Sequence, residues 1–262
     1  MELGLDGRGA LVGGASKGLG RAVAEGLAAE GCRLALWSRG GEALDEAVAE
    51  IRSMYGVETH AVAADASDPF AAGIVADAAR DALGQVDIVV LNSGGPPTAD
   101  PTDTNAEGWG GAFQLLATTP IMVATHLLPG MRERRWGRVV GILSWVIRQP
   151  TADLVYSESG RSALATWMKA TSAVVAADGV TINGVLPGAI DTERAAALDR
   201  LRADREGRSP VDVRAAREAT IPAHRYGKPE ELASLVVYLC SDRASYQTGT
   251  LTALDGGLIQ GL

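Results

Sequence analysis

Short apolar runs alternate with Ala-rich amphipathic segments along the whole chain, and this alternation leaves few folds open. Seven runs have strand character, at residues 9–12, 33–37, 59–63, 88–91, 139–143, 181–185 and 250–254. Helical spacing of apolar residues marks 19–30, 42–55, 69–83, 109–135, 157–177 and 230–240 between them. Repeated strand-helix units cross from one parallel strand to the next, so an α/β fold follows: a doubly wound, seven-stranded parallel sheet with helices on both faces. No repeat or Ser/Gly linker interrupts the pattern, and residues 1–262 are read as one domain.

The first apolar run passes straight into a glycine-rich turn, residues 13–20 (GGASKGLG), and then into a helix. Gly14, Gly18 and Gly20 lack the β-carbons that would keep a pyrophosphate away, and the helix start offers unpaired amides and a positive dipole end to it. Strand, glycine turn and helix in this order make the sheet Rossmann-type and the amino-terminal end a dinucleotide site. Gly14, Ser16, Lys17, Gly18, Leu19 and Gly20 are its candidate residues.

Charge narrows the partners. The chain has 24 Lys and Arg against 32 Asp and Glu, a net charge of -8, which opposes nonspecific attraction to nucleic acid or anionic lipid. A small-molecule substrate is expected, with no nucleic acid and no membrane. The first residues lack the basic and apolar stretches of a secretory signal, so a cytoplasmic location is expected. Residues 109–131 carry no Asp, Glu, Lys or Arg and exceed the ~20 residues that span a bilayer. Gly110, Gly111, Gln114, Pro120, His126 and Pro129 interrupt them, and burial between the sheet and a neighbouring subunit accounts for the lack of charge. Cys32 and Cys240 read as buried free thiols, and His60, His126 and His224 have no metal-ligand spacing.

Further motifs, in order, resemble those of the short-chain dehydrogenases/reductases over essentially the whole length, in particular the 3-oxoacyl-[acyl-carrier-protein] reductase-like branch. The glycine turn is similar to the family's T-G-x-x-x-G-x-G, with Gly13 for Thr. Asp65, followed by Ala66, stands where the family contacts adenine. Leu91 to Gly94 (LNSG) resembles N-N-A-G and supplies Asn92, Ser93 and Gly94. Pro187 to Thr192 (PGAIDT) resembles the P-G-x-x-x-T that holds the nicotinamide amide, giving Pro187, Gly188, Ile190 and Thr192. Residues 225–231, 241–249 and 255–257 are similar to the family's closing stretch. The resemblance implies a nicotinamide cofactor and a homo-oligomer, expected to be a tetramer built on the uncharged helix and the one beginning near Ser157.

At the end of the second strand a carboxylate would accept hydrogen bonds from a ribose 2′-hydroxyl and repel a 2′-phosphate. Ser38 and Arg39 stand there instead, and with Lys17 they predict NADP(H).

The family's carbonyl chemistry uses a Ser that orients the carbonyl, a Tyr that donates the proton, a Lys that holds the ribose and lowers the Tyr pKa, and an Asn that completes a relay. Ser144 matches the Ser. Counting along the chain puts Ser157 on the Tyr position, Arg161 on the Lys position and Leu116 on the Asn position, with Tyr156 one residue early. Of the three lysines, Lys17, Lys169 and Lys228, Lys169 lies 12 residues past Ser157, about 18 Å along a helix, too far to substitute. Arg161 shares a helical face with Ser157 and can hold ribose hydroxyls, but a guanidinium is a poor proton relay. Ser144, Tyr156, Ser157 and Arg161 are the candidate catalytic residues, with either Tyr156 or Ser157 facing the nicotinamide.

Trp145 and the Pro96 and Pro97 pair are expected to wall the substrate mouth, and residues 192–221, dense in charge around 204–210, read as a substrate lid or a solvated insertion. Three functions fit: an NADP(H)-dependent oxidoreductase of a ketone, aldehyde or alcohol with an atypical proton donor; a lyase or cyclase on the same scaffold; and a cofactor-binding protein without catalysis.

Overall fold

A computed structural model describes residues 2–261. Seven strands form one parallel sheet: β1 (Gly9–Gly13), β2 (Arg33–Ser38), β3 (Thr59–Ala63), β4 (Ile88–Leu91), β5 (Gly137–Ile142), β6 (Val180–Pro187) and β7 (Leu251–Leu254). Their order is β3-β2-β1-β4-β5-β6-β7. β1, β4, β5 and β6 are buried along their whole length, because helices cover both faces of the sheet and no strand residue needs to meet water.

The helices are α1 (Gly18–Ala29), α2 (Glu42–Tyr55), α3 (Ala71–Leu83), α4 (Ala106–Phe113), α5 (Thr119–Glu133), α6 (Val155–Val175), α7 (Glu193–Glu206), α8 (Pro210–Thr220) and α9 (Pro229–Cys240). α1, α2 and α9 bury Leu27, Leu44, Ile51, Leu232 and Val236 on one side of the sheet. α3, α5 and α6 bury Val75, Leu83, Val123, Leu127, Leu164 and Met168 on the other. The apolar positions of α2, Leu44, Ala47, Val48 and Ile51, fall on one face at the i, i+3, i+4, i+7 spacing. α2 stops at Gly56, whose φ of 69° is the left-handed conformation that glycine adopts without strain.

Residues 109–135, expected as one helix, are α4 and α5 joined by a π-helical turn over Gln114–Thr118. Pro120 has no amide hydrogen for the carbonyl of Leu116 four residues back. The wider register takes over there, with the Thr119 N–H donating to the carbonyl of Gln114. By length and composition Ala106–Glu133 could cross a membrane. In the fold its Ala112, Leu116, Val123, Ala124, Leu127 and Met131 are buried, the last four in the core beneath the sheet.

α7 and α8 fill the segment expected as a lid or insertion. Thr192 caps α7 by accepting the Ala195 N–H at 3.2 Å, and Ser209 caps α8 by accepting the Asp212 N–H at 3.1 Å.

Candidate active site

Strand order reverses between β1 and β4, and at such a switch point the loops leaving adjacent strands part to open a cleft. Asn92 spans its base: the side-chain amide donates to the carbonyl of Gly13 at 3.1 Å. A β-carbon at Gly14 would lie 2.6 Å from Asn92 Nδ2, and one at Gly20 would strike the carbonyls of Gly13 and Gly14. These glycines are required by close packing inside the turn. Gly18, with φ of 60°, and Gly94 face open space, where the nearest atom to an added β-carbon is Thr192 Cγ2 at 4.0 Å for the first and none within 4 Å for the second. Two bare backbone edges beside the start of α1 leave the room a pyrophosphate requires.

The outer part of this site assembles from β2 and β3. Ser38 and Arg39 lie at the end of β2, and Gly40 donates its N–H to Ser38 Oγ at 3.4 Å. Asp65 accepts from the Ser67 N–H at 2.9 Å and hydroxyl at 2.8 Å. Those bonds, and secondarily the Arg39 cation, hold its carboxyl below the usual range. Arg39 is exposed and Ala66 buried, the carbonyl of Ala66 accepting the Thr119 hydroxyl at 2.7 Å. Lys17, expected as a second cation at the 2′-phosphate end, pairs its ammonium with Glu193 Oε2 at 3.0 Å, an exposed contact from the glycine turn to the first turn of α7. Leu19 packs partly buried against the core behind the turn, and Ser16 is half-buried in it.

On the far side of the cleft, Pro187, Gly188, Ile190 and Thr192 carry the chain from β6 to α7. Gly188 packs where a β-carbon would lie 2.7 Å from Asp255 Cα, and Ile190 bridges to Gly227, which fixes the path of the loop over the cofactor end. Ser93 donates its hydroxyl to the carbonyl of Leu115 at 3.2 Å, so the end of β4 is tied to the π-helical turn.

Ser157 and Arg161 come together, and Arg161 reaches the backbone just before Ser144. Arg161 donates from Nε to the carbonyl of Leu143, the residue before Ser144, at 3.2 Å, and from Nη1 to Ser157 Oγ at 2.6 Å. Part of its side chain meets the cleft, but protein surrounds the guanidinium. Burial foremost, and the Arg194 cation second, pull its pKa down to about 10. Ser144 Oγ accepts the Val146 N–H at 3.4 Å as the chain turns into a short 3-10 segment, Trp145–Ile147. Leu116 reaches the same cavity as Asn92, Ser93 and Arg161, and closes it with an apolar side chain that offers no relay.

Tyr156 is not brought to this cluster. It is buried, its hydroxyl accepts the Asn105 N–H at 3.2 Å, and its ring meets Trp109 edge-on with centroids 4.8 Å apart. A β-carbon on Gly108 would collide with the phenol oxygen, so α4 is packed onto it.

Three arginines of α7, which the sequence reading passed over, span the mouth. Arg194 donates to the carbonyl of Pro96 at 3.2 Å, Arg205 to Thr98 Oγ1 at 3.2 Å, and Arg202 pairs with Asp153 at 3.5 Å. The available signal for Arg194 was its place two residues after Thr192.

Comparison with known proteins agrees with this architecture. A family model described as enoyl-(acyl carrier protein) reductase matches residues 14–259. The chain belongs to this family, the short-chain dehydrogenases/reductases, and falls in the branch like 3-oxoacyl-[acyl-carrier-protein] reductase. It is 32% identical over 255 residues to 3-oxoacyl-[acyl-carrier-protein] reductase FabG of Vibrio cholerae, covering 97% of this chain and 98% of that one. The structure of L-sorbose reductase from Gluconobacter frateurii, complexed with NADPH and L-sorbose, superposes with a TM-score of 0.95 at 30% identity over all of both chains. Actinorhodin polyketide ketoreductase with NADPH gives 0.92 at 29% identity, covering 99% of this chain and 100% of that one.

Proposed function

We propose that the protein is an NADP(H)-dependent oxidoreductase that reduces a ketone or aldehyde, or oxidises the corresponding alcohol, with Ser157 and Arg161 where its family has Tyr and Lys. One observation carries this reading: an intact dinucleotide cradle ends, at β2, in Ser38 and Arg39 with no carboxylate from residue 38 to 41. Complexes of relatives with NADPH support the same cofactor. Gly14, Ser16, Gly18, Leu19 and Gly20 hold the pyrophosphate, Lys17 and Arg39 the 2′-phosphate end, and Asp65 and Ala66 the adenine. Asn92, Ser93, Gly94, Pro187, Gly188, Ile190 and Thr192 frame the nicotinamide.

When bound, NADPH supplies a hydride to the carbonyl carbon. The Ser144 and Ser157 hydroxyls orient the carbonyl oxygen, and Arg161 fixes Ser157 and holds ribose hydroxyls. The proton that completes the alcohol is relayed from bulk solvent through water held by the two serines, which is reprotonated from solvent in turn, because Tyr156 is engaged elsewhere. Residues 192–221 serve as the substrate lid, supported by the three arginine contacts of α7 with residues 96–98 and 153. The protein works as a cytoplasmic homotetramer, for which exposed Phe113, Met122 and Val174 on α4, α5 and α6 supply apolar surface.

Following NADPH absorbance with a panel of ketones, aldehydes and diketones, beside a binding titration, tests the reading: turnover is expected. Leu116 and Arg161 at the relay and lysine positions favour one alternative, a cofactor-binding protein without redox turnover, or a lyase or cyclase. Tight NADPH binding with no oxidation by any carbonyl compound would select it.

A further inference from the structure

Arg161 lines the cavity with Asn92 and Ser93, Arg194 lies against Gly95 and Pro96 a few residues further along the same loop, and neither has a carboxylate oxygen within 4.0 Å among the described residues. Arg161 rises from α6 at the floor, where both of its contacts are neutral, a backbone carbonyl and a hydroxyl. Arg194 comes from the first turn of α7 at the roof, and its head lies against Gly95 and the carbonyl of Pro96, on the β4 side of the mouth. The Arg194 cation is close enough to add to the burial that disfavours the charge on Arg161. The acidic neighbours are already committed: Asp153 to Arg202, Asp191 to Arg214 and Glu193 to Lys17. Arg194 is exposed, so its guanidinium is open to an anion arriving from solvent.

Resting on the reductase reading, we propose that the substrate is a carbonyl compound bearing a carboxylate, and that Arg194 is the residue that receives that carboxylate. Arg194 points toward Pro96, while the bare edge of Gly18 at the start of α1 is left for the cofactor's pyrophosphate. A guanidinium in this position grips a carboxylate through two parallel N–H donors, and the nearby Arg161 adds a field that favours an anion over a neutral group. Trp145 and the Pro96 and Pro97 pair are left to line the rest of the substrate with apolar surface.

Paired substrates test it in the whole enzyme with NADPH: 2-oxo and 3-oxo acids against their methyl esters. The acid of a pair is expected to show at least a tenfold higher kcat/KM than its ester, through KM. Arg194→Leu is expected to lower kcat/KM for the acid at least tenfold more than for the ester, and Arg194→Lys to recover part of the loss. NADPH affinity in Arg194→Leu, read by titration, should change less than threefold. Equal use of acid and ester by the parent, or equal losses on both in the variant, would overturn the proposal. A tenfold weaker NADPH Kd would assign Arg194 to the cofactor's phosphates instead. If NADPH binds but no carbonyl compound is reduced, the reductase reading fails, and titration of the same acids and esters into the NADP+ complex by tryptophan fluorescence still decides: acid binding lost in Arg194→Leu supports the carboxylate site, and no preference for the acid refutes it.

Discussion

Arg161 donates to Ser157 Oγ at 2.6 Å across one turn of α6, so the two residues proposed to stand at the family's Tyr and Lys positions form a pair. In the proposed reaction the pair keeps the positioning half of the chemistry: a cation against the ribose and a hydroxyl against the carbonyl. It gives up a phenol whose pKa a neighbouring ammonium can lower. The Ser157→Tyr, Arg161→Lys double variant should therefore reduce simple ketones at least tenfold faster than the parent, since a positioned general acid contributes ~10²–10⁴-fold. Stopped-flow NADPH oxidation reads this, and a rate at or below the parent's would show that the Ser157 slot does not face the carbonyl.

Tyr156 has a structural task. Tyr156→Phe removes the acceptor for the Asn105 N–H and leaves the edge-on contact with Trp109. The expected cost is ~1 kcal/mol of stability, read as a small fall in Tm, with kcat unchanged. A loss of kcat of a hundredfold or more with native Tm would make Tyr156 the proton donor after all.

Most of the fold was legible in the sequence because burial on both faces writes parallel strands as unbroken apolar runs, as in residues 88–91 and 139–143. The break in the helix over 109–135 was not read, although Pro120, without an amide hydrogen, was its signal. Residues 192–221 read as a helical lid or a solvated insertion, and the division into α7 and α8 was hidden by their polarity, announced only by the caps Thr192 and Ser209, the latter followed by Pro210. In the candidate site, the places of the glycine turn after β1 and of Ser144 just past β5 followed from motif order. The direction of Tyr156 and the partner of Lys17 did not. The first depends on how a loop enters α6, and the second on a contact between residues 176 apart in sequence.

Gly20 is set by backbone on two sides, the carbonyls of Gly13 and Gly14. Gly20→Ala should cost ~1–3 kcal/mol, because neither carbonyl is a flexible side-chain end, and should weaken NADPH by displacing the turn. Chemical denaturation and a cofactor titration check both. Native stability would mean that the turn relaxes freely.

Cys32 and Cys240 are buried, and burial pushes the Cys32 thiol up to about 12 and that of Cys240 higher still. Neither should react with a thiol reagent at pH 8 until the protein unfolds. Both thiols are neutral in the fold but ionise near 9 in the unfolded chain, so their contribution to stability is complete below pH 9 and is lost as pH rises toward 12. Reagent labelling and Tm against pH measure this; rapid labelling of the native protein would contradict it.

The central claim is that Arg39 at the end of β2 selects the phosphorylated dinucleotide, and a paired titration tests it most directly. NADPH and NADH are titrated into the parent and into Arg39→Ala. The parent is expected to bind NADPH at least tenfold more tightly than NADH, about 1.4 kcal/mol, and the variant to lose most of that preference with NADH affinity little changed. Equal affinities in the parent, or a preference that survives Arg39→Ala, would contradict it.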